Sequence, residues 1–321
     1  MPTHYLYGTV LTGEGVAANN RGDNIGNTTT LQKVFVKDEL HTSVSGEAIR
    51  FALRYRFQLE NPDSVNRTFE DGKLNFKDEG RSYWAPGKEI YIDDALMGFM
   101  DAKAAQQENE ADWEDLDEAE EKPKSKSKTK AKGKVTKHQS PLAVSRAVSL
   151  RPYRGEISYN AVSGEKQKGK LSLYSAEMHT SEYQYSFGLN LSDVARKKYI
   201  VEFLAAVIDP PPVAGNHARF AYDFSPASIV LRVTSAHSPK IHYIFEHDEG
   251  NRSYTIERLI QRVEAEDIPA QELIVGGEVA MTVEGQKLKE LGVEVVSGVS
   301  KAGQLALQRI ADLGEEYGEV L

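Results

Sequence analysis

The 321-residue sequence contains no cysteine. Disulfide bonds, thiolate zinc sites, iron–sulfur clusters and cysteine nucleophiles are therefore excluded. The sequence also lacks an apolar run of about 18 residues, and its N-terminal segment does not have the layout of a signal peptide. These absences predict a soluble cytoplasmic protein with no membrane partner. Apolar residues still make up 40% of the chain, which is enough for a substantial core.

Charge is unevenly distributed along the chain, which carries 48 acidic and 39 basic residues. The segment 103–139 has low complexity, with a run of acids followed directly by a run of lysines. Such a composition cannot bury enough apolar surface to offset the entropy of ordering, so it predicts a disordered loop. Two interpretations stay open: a lysine arm that contacts phosphates, or a solvated insertion whose charges cancel.

Hydrophobic periodicity predicts the main secondary structure. Side chains alternate with period two in 5–11, 183–191 and 228–234, as in strands. Apolar residues recur with helical spacing after Ser45 and after Ser192, both of which are good N-cap residues. The order strand, helix, strands, helix, strand predicts an α+β fold with helices on one face of a sheet and long insertions.

The familiar catalytic and cofactor motifs are missing or incomplete. Gly13-x-Gly15-x-x-Ala18 follows a strand, but a loop follows it where a dinucleotide site needs a helix. The acidic cluster 246–249 adjoins a glycine turn and is typical of a surface turn rather than a metal site. No nucleophile elbow, phosphate-binding loop or zinc-protease helix is present. We therefore predict no catalytic residue, no metal and no cofactor.

One loop and the helix after it are rich in groups that bind phosphate and ribose. Asn, Ser and Thr offer neutral hydrogen bonds, and Arg adds charge and a planar fork. Placed above one sheet, such residues suit a sugar–phosphate backbone without reading bases. The alternative is turn-forming asparagine beside a solvated arginine face, and the residues alone leave both open. The set is Asn19, Asn20, Arg21, Asn24, Thr42, Ser43, Ser45, Arg50 and Arg54.

The same loop and helix resemble a known family. The segments are LTGEGVAANNRGDNIGNTTTLQKVF and HTSVSGEAIRFALRYRF, supported by 140–150 and by the strand 183–191. They are similar to the backbone subunit of type I CRISPR surveillance complexes (Cascade), particularly its DevR-type autoregulator branch, which includes type I-B-like members. The resemblance extends in order along nearly the whole chain, with variable insertions.

The resemblance implies a fold of three parts. A palm is built on an RRM-like (ferredoxin-like) antiparallel sheet, a finger is inserted into it, and a thumb β-hairpin projects from it. The implied boundaries are 1–58 for the first part of the palm, 59–140 for the finger with its charged loop at about 103–139, 141–149 for palm, 150–181 for the thumb and 182–321 for the rest of the palm.

The resemblance also implies a function and partners. Copies of the subunit polymerise as a helical filament along guide crRNA, bind its sugar–phosphate backbone and present the spacer for pairing with target DNA. This serves antiviral defence or RNA-guided targeting in a prokaryotic cytoplasm. The other expected partners are the remaining Cascade subunits, namely the large subunit and those that cap the crRNA ends.

Guide-contacting positions of the family fall on several residues of this sequence. Ser145 is one of them, and Arg146 lies where related branches can carry histidine. The implied thumb has a glycine-flanked basic tip, which can close over a polyanion. Together with Asn20, Arg21, Ser45, Arg50 and Arg54, the predicted RNA contacts are therefore Ser145, Arg146, Lys166, Lys168 and Lys170.

Two rival functions remain at this stage. Related backbone subunits of type III complexes cleave RNA with a loop aspartate, so a metal-dependent ribonuclease could use Asp23 or the cluster 246–249. The flanks of Asp23 follow the non-cleaving branch, which favours a subunit that is not an enzyme. A transcriptional autoregulator is the second rival, but no helix-turn-helix pattern is visible. The aromatic signature of ordinary RNA-recognition motifs is also absent, so stacking of bases on the sheet is not expected.

Overall fold

The computed structural model describes residues 3–18, 24–78, 90–100, 137–161, 173–214, 221–248, 250 and 253–320. Within that part of the chain, no helix is both long and apolar enough to cross a membrane.

The strands are β1 (Tyr5–Thr12), β2 (Gly15–Ala17), β3 (Asn24–Ile25), β4 (Thr28–Thr29), β5 (Lys33–Val36), β6 (Glu39–Val44), β7 (Arg67–Glu70), β8 (Lys73–Phe76), β9 (Phe99–Met100), β10 (Lys137–His138), β11 (Leu142–Val144), β12 (Ala147–Ser149), β13 (Glu156–Ala161), β14 (Leu173–Ser181), β15 (Tyr183–Asn190), β16 (Pro226–Thr234), β17 (Glu246–Asp248), β18 (Ser253–Thr255), β19 (Leu273–Gly277) and β20 (Glu294–Val296).

The helices connect and cover these strands. The α-helices are α1 (Gly46–Glu60), α2 (Ile92–Met97), α3 (Lys198–Ile208), α4 (Glu257–Glu264), α5 (Val283–Glu290) and α6 (Val299–Ala311). Short 3₁₀ segments lie at Pro62–Ser64, Ala270–Glu272, Glu278–Met281 and Glu315–Val320. Helix α3 begins later than predicted: its N-cap is Lys197, and Ser192 instead accepts a hydrogen bond from the backbone of His4.

The centre of the main sheet has the strand order β16–β1–β15–β12, and all of these neighbours are antiparallel. Helix α1 follows β1, and α3 follows β15. This β-α-β-β-α-β arrangement is the ferredoxin-like topology, so the predicted α+β, RRM-like palm is confirmed. Strands β6 and β5 extend the sheet beyond β12, and β19 and β20 extend it beyond β16. The boundaries of palm, finger and thumb remain predictions.

The helices α1, α3 and α6 pack on one face of the sheet. Leu6 and Val10 of β1 join Phe187 of β15 and Phe203 of α3 in one buried cluster. A Cβ atom at Gly8 would lie 2.2 Å from the Phe187 ring, so glycine lets that ring lie directly against β1. Phe187 in turn meets Phe203 edge to face, with 5.1 Å between ring centroids.

The second face of the sheet is covered by the chain itself. The Thr9 hydroxyl donates to the carbonyl oxygen of Ile241 at 2.8 Å, and the Gln184 amide donates to that of Phe245 at 2.7 Å. Ile241 and Phe245 belong to a second buried cluster that includes α4. This is the face on which ordinary RNA-recognition motifs stack bases. In this chain, Ile241 and Phe245 contact that face instead.

The hairpin β13–β14 lies in the predicted thumb and is antiparallel from Glu156↔Met178 to Ala161↔Leu173. Its tip, including Lys166, Lys168 and Lys170, lies outside the described residues. The base of the hairpin is tied to the palm: the Glu177 carboxylate pairs with Lys33 and accepts from the backbone of Leu31 at 2.7 Å.

The predicted finger is described only in part, as the hairpin β7–β8, helix α2 and the pair β9–β10. Nearly all of the predicted disordered loop lies outside the described residues. The prediction placed the loop at about 103–139, and the last residues of that range, Lys137 and His138, form β10 and pair with Met100 and Phe99. Regular pairing of strands therefore begins again at Lys137, the last lysine of the lysine-rich segment.

Candidate nucleic-acid interface

Fourteen side chains are predicted to contact RNA, and the structure describes seven of them. Asn19, Asn20, Arg21 and the three tip lysines lie outside the described residues, as does Asp23. Asn24 is the first residue of β3, but its side chain is not described. The seven that remain are Thr42, Ser43, Ser45, Arg50, Arg54, Ser145 and Arg146.

Ser45 is the N-cap of α1, as its sequence position predicts. Its backbone is extended, and its hydroxyl accepts from the amide of Ala48 at 3.2 Å. A Cβ atom at Gly46 would lie 2.6 Å from the carbonyl oxygen of Val144, so the start of α1 packs directly on the chain that leads to Ser145. Ser45 is itself buried, so its side chain stabilises the start of α1 from inside the protein.

Arg50 holds two distant segments against α1. Its guanidinium donates to the carbonyl oxygen of Leu142 at 2.7 Å and to that of Met97 at 2.9 Å. Leu142 begins β11, and Met97 ends α2 in the predicted finger. Burial lowers the pKa of Arg50, partly opposed by Glu47. The side chain therefore links α1 to β11 and to the end of α2.

Arg54, one turn further along α1, faces a buried acidic pair at the start of α2. Its Nε atom lies 3.7 Å from Oδ2 of Asp93, and burial lowers its pKa to about 10. Asp93 accepts from the backbone amides of Asn66 at 2.8 Å and Arg67 at 3.1 Å, and Asp94 lies 3.4 Å from the Arg67 guanidinium. Both aspartates are fully buried. This ion cluster joins α1, β7 and α2.

Thr42 of β6 is buried at the base of the hairpin β13–β14. Its hydroxyl is 2.7 Å from Nδ1 of His179 and 2.6 Å from the hydroxyl of Tyr183. His179 also bonds to the backbone of Pro152, whose carbonyl can only accept, so the other ring nitrogen, Nδ1, is left to accept from Thr42. Thr42 is fully enclosed and ties β6 to β14 and β15.

The buried His179 should make the free energy of unfolding sensitive to acid. Burial lowers its pKa from 6.5 to about 4, and nearby His41 and Arg151 act in the same direction. The unfolded chain takes up a proton as the pH falls through about 6.5, whereas the native imidazole does so only near 4. This contribution to stability is therefore complete above about pH 6.5 and is lost between there and about pH 4.

We expect the free energy of unfolding to fall by about 2–3 kcal/mol over that window because of this one group. The variant His179→Gln can keep both hydrogen bonds but does not titrate, so its stability should fall less. Urea unfolding curves at pH 7 and pH 4.5 measure the difference. Equal decreases in the two proteins would contradict the prediction.

A polar surface forms where β6 and β12 meet the chain before β5. The guanidinium of Arg146 is exposed and donates to Gln32 and to the Ser43 hydroxyl, both at 3.2 Å. The Ser145 hydroxyl accepts from the backbone of Ser186 at 2.8 Å. No carboxylate among the described residues lies within ion-pair distance of Arg146. The Ser43 hydroxyl is buried beneath this guanidinium, and we call Gln32, Ser145 and Arg146 the Arg146 surface.

Sequence patterns did not reveal several of the residues that build these sites. Gln32 stands in an ordinary polar stretch, and Tyr243 carries no motif although its hydroxyl donates to the carbonyl oxygen of Arg146 at 2.5 Å. Asp93 and Asp94 could have been found from the sequence, because two adjacent acids interrupt the apolar segment YIDDALM. Acids in such a setting indicate a buried ion pair.

The two carboxylate groups considered for metal chemistry are placed differently. Asp23 lies outside the described residues, whereas Glu246 pairs with Lys37 at 3.0 Å and starts the small hairpin β17–β18. In the described part of the chain, no three His, Asp or Glu side chains are arranged to hold a metal ion.

Comparison with known proteins identifies the family. No protein-family model matches the chain. It is 37% identical over 318 residues to the CRISPR-associated protein Cas7/Cst2/DevR of Myxococcus xanthus strain DK1622, covering 95% of this chain and 97% of the relative. Two chains from solved CRISPR RNA-guided surveillance complexes, one of them in a pre-nicking state, share the fold. Their TM-scores are 0.58 and 0.57 at 14% and 13% identity, covering 95% of this chain and 99% of each of theirs. The chain belongs to the Cas7/Cst2/DevR family of CRISPR-associated proteins.

Proposed function

We propose that this chain is a backbone subunit of a CRISPR RNA-guided surveillance complex. Several copies polymerise along a guide crRNA in the prokaryotic cytoplasm and present the spacer for pairing with target DNA. The observation that carries this proposal is the similarity to a Cas7/Cst2/DevR relative along 95% of the chain. The ferredoxin-like palm agrees with it, since chains of RNA-guided surveillance complexes share that fold.

The geometry supports a division of labour among the predicted contacts. The Arg146 surface offers an exposed cation beside neutral hydroxyl and amide groups, which suits a phosphate and a ribose. Ser45, Arg50, Arg54 and Thr42 instead hold the helix, finger and thumb that surround the guide. We propose that these four residues position the RNA-binding elements. Arg146 then contacts the sugar–phosphate backbone of the guide, together with Asn20 and Arg21 from the segment between β2 and β3.

The variant Arg146→Gln tests the proposed contact. It keeps a hydrogen-bonding side chain but removes the charge, so each subunit should neutralise one phosphate fewer. The slope of log affinity against log salt should then become shallower by about 0.7 for each phosphate of a single strand that is no longer neutralised. Filter binding of guide RNA over a salt series measures this slope.

Arg56→Gln is the matched control. Arg56 is a half-buried arginine of α1 that pairs with Glu60 and lies 3.1 Å from Asp209. Its replacement should leave the salt slope unchanged. A wild-type slope in Arg146→Gln would contradict the assignment of the contact while leaving guide binding by other residues intact.

We also propose that the subunit takes no part in RNA cleavage. Glu246 is held in an ion pair with Lys37 and lies in the small hairpin β17–β18, and no three His, Asp or Glu side chains of the described residues are arranged to hold a metal ion with it. Incubation of the pure protein with guide-matched RNA and Mg²⁺ tests this point. Cleavage that disappears in Asp23→Ala would overturn it in favour of a ribonuclease.

A further inference from the structure

Arg146 lies in a β-bulge of the main sheet. Val144 of β11 pairs with Phe187 of β15. Four residues further on, Val148 of β12 pairs with Gln184, which is only three residues from Phe187, so the strand that carries Arg146 has one extra residue. Arg146 is exposed and has no cross-strand partner among the described strands. Bulges of this kind change the direction of a side chain and are often found beside functional sites.

Tyr243 bonds to the backbone of this bulge from outside the sheet. Its hydroxyl donates to the carbonyl oxygen of Arg146 at 2.5 Å. The Arg146 guanidinium is held separately, because it donates to Gln32 and to the Ser43 hydroxyl, both at 3.2 Å. Those two bonds hold the end of the side chain, whereas the bond from Tyr243 holds the backbone from which the side chain projects. Loss of the Tyr243 hydroxyl would therefore free the bulge and leave the strand pairs on either side of it in register.

Tyr243 itself has a backbone conformation that is unfavourable for a residue with a side chain. Its φ is 50°, in the left-handed region that residues other than glycine rarely adopt. Its amide donates to the Ser186 hydroxyl at 3.1 Å, and its carbonyl oxygen accepts from the Arg258 guanidinium. A strained backbone persists only where the surrounding contacts determine it, and such residues are concentrated at functional sites. A bulky residue at this position indicates that the side chain of Tyr243 has a role there.

The Ser186 hydroxyl links Tyr243 to the sheet through a fully paired network. Thr9 Oγ1 donates its one proton to the carbonyl oxygen of Ile241 at 2.8 Å, so it accepts from Ser186 Oγ at 2.9 Å. Ser186 Oγ in turn accepts from the Tyr243 amide. The backbone amide of Ser186 also donates to Ser145 Oγ at 2.8 Å. One buried residue of β15 therefore holds both the segment that carries Tyr243 and the start of the bulge.

We propose that Tyr243 is a positioning residue for Arg146, and that its hydroxyl sets the direction in which the guanidinium meets a phosphate of the guide. This inference rests on the proposed function, because it requires the contact between Arg146 and the guide backbone. Tyr243 itself needs no contact with RNA. The effect is the same for every base, since it involves only the backbone of the bulge and a phosphate.

The variant Tyr243→Phe removes the hydroxyl and keeps the ring. We expect guide affinity to fall by about three- to tenfold, the usual effect of losing one hydrogen bond. The slope of log affinity against log salt should become shallower, toward that of Arg146→Gln, because the cation neutralises its phosphate less fully. Filter binding of guide RNA over a salt series measures both quantities. Urea unfolding should remain cooperative, because the lost bond lies at the surface.

The double variant that combines Arg146→Gln with Tyr243→Phe separates positioning from a purely structural role. If Tyr243 acts through Arg146, the double variant should bind guide RNA no more weakly than Arg146→Gln alone. Tyr5→Phe is the matched control, because it removes a tyrosine hydroxyl that lies 2.9 Å from Nδ1 of His237, in the segment before Tyr243. It should keep the affinity and the slope of the wild-type chain.

Three results would overturn the proposal: wild-type affinity and slope in Tyr243→Phe, additive effects in the double variant, or an equal decrease in affinity in Tyr5→Phe. A shallower slope in Arg146→Gln beside a wild-type slope in Tyr243→Phe would remove the positioning role and leave the proposed function intact. A wild-type slope in Arg146→Gln would overturn the positioning role together with the phosphate contact. Failure of the wild-type chain to bind guide RNA would remove the proposed function and this inference with it.

Discussion

Replacing Asp93 with alanine should lower the free energy of unfolding by about 3–5 kcal/mol, the usual cost of removing one partner from a buried ion pair. Asp93 is fully buried and accepts from two backbone amides, those of Asn66 and Arg67. Its removal would leave both amides without acceptors and would leave the mostly buried cation of Arg54 without its nearest counter-charge.

Urea unfolding monitored by circular dichroism measures the decrease in stability. The control is Asp63→Ala, which also breaks an aspartate ion pair of the predicted finger, with Lys77 at 3.2 Å. The Asp63 side chain is 98% exposed, so its removal should cost between 0 and about 1 kcal/mol. If Asp93→Ala were no less stable than Asp63→Ala, the ion cluster would not hold α1 and α2 together.

This result would also change how arginine variants are interpreted. Arg50 and Arg54 were predicted to contact RNA, and combined alanine variants of both would lower guide affinity in either case. The structure shows that their guanidinium groups bind Met97, Leu142 and Asp93 within the chain. A decrease in affinity that accompanies a decrease in stability therefore indicates positioning, whereas a decrease in affinity at full stability indicates direct contact with RNA.

An Asn-Gly turn in place of residues 162–172 should abolish filament assembly on guide RNA and leave the chain folded. Ala161 and Leu173 are cross-strand partners, so a two-residue turn can close the hairpin between them. The ties of β14 to the palm remain, including the bond of 2.6 Å between the hydroxyls of Ser175 and Thr28. The part removed contains the basic tip, which the proposed function assigns to the guide.

Sedimentation of the protein with guide RNA measures assembly, and the salt series measures the charge removed. Removal of three phosphate-binding lysines should flatten the slope by about 2. The control keeps the length of the hairpin and changes only Lys166, Lys168 and Lys170 to glutamine. It should show the shallower slope while still forming short filaments. Assembly of the shortened chain with an unaltered slope would show that the thumb tip is not needed.

Local patterns predicted the fold well because they depend on neighbours in the sequence. Alternation over Tyr183–Asn190 identified the central strand β15, and the serine before an apolar helical stripe identified the N-cap of α1. The start of α3 was predicted five residues too early, since Ser192 faces His4 rather than the helix. The second face of the sheet is contacted by Ile241 and Phe245 of this chain, and the sequence patterns did not predict this cover.

The sequence by itself determined the α+β class, the order of the palm elements, the absence of thiol chemistry and the family resemblance. Each of these depends on composition, on spacing within one element or on extended similarity. Only the tertiary structure decided which predicted contacts face the surface. Arg50 and Arg146 are equally polar in sequence, yet one binds carbonyl oxygens 47 and 92 residues away and the other is exposed. An arginine side chain bonds to the acceptors that lie near it in the folded chain. Those acceptors can be distant in sequence, so local spacing does not reveal them.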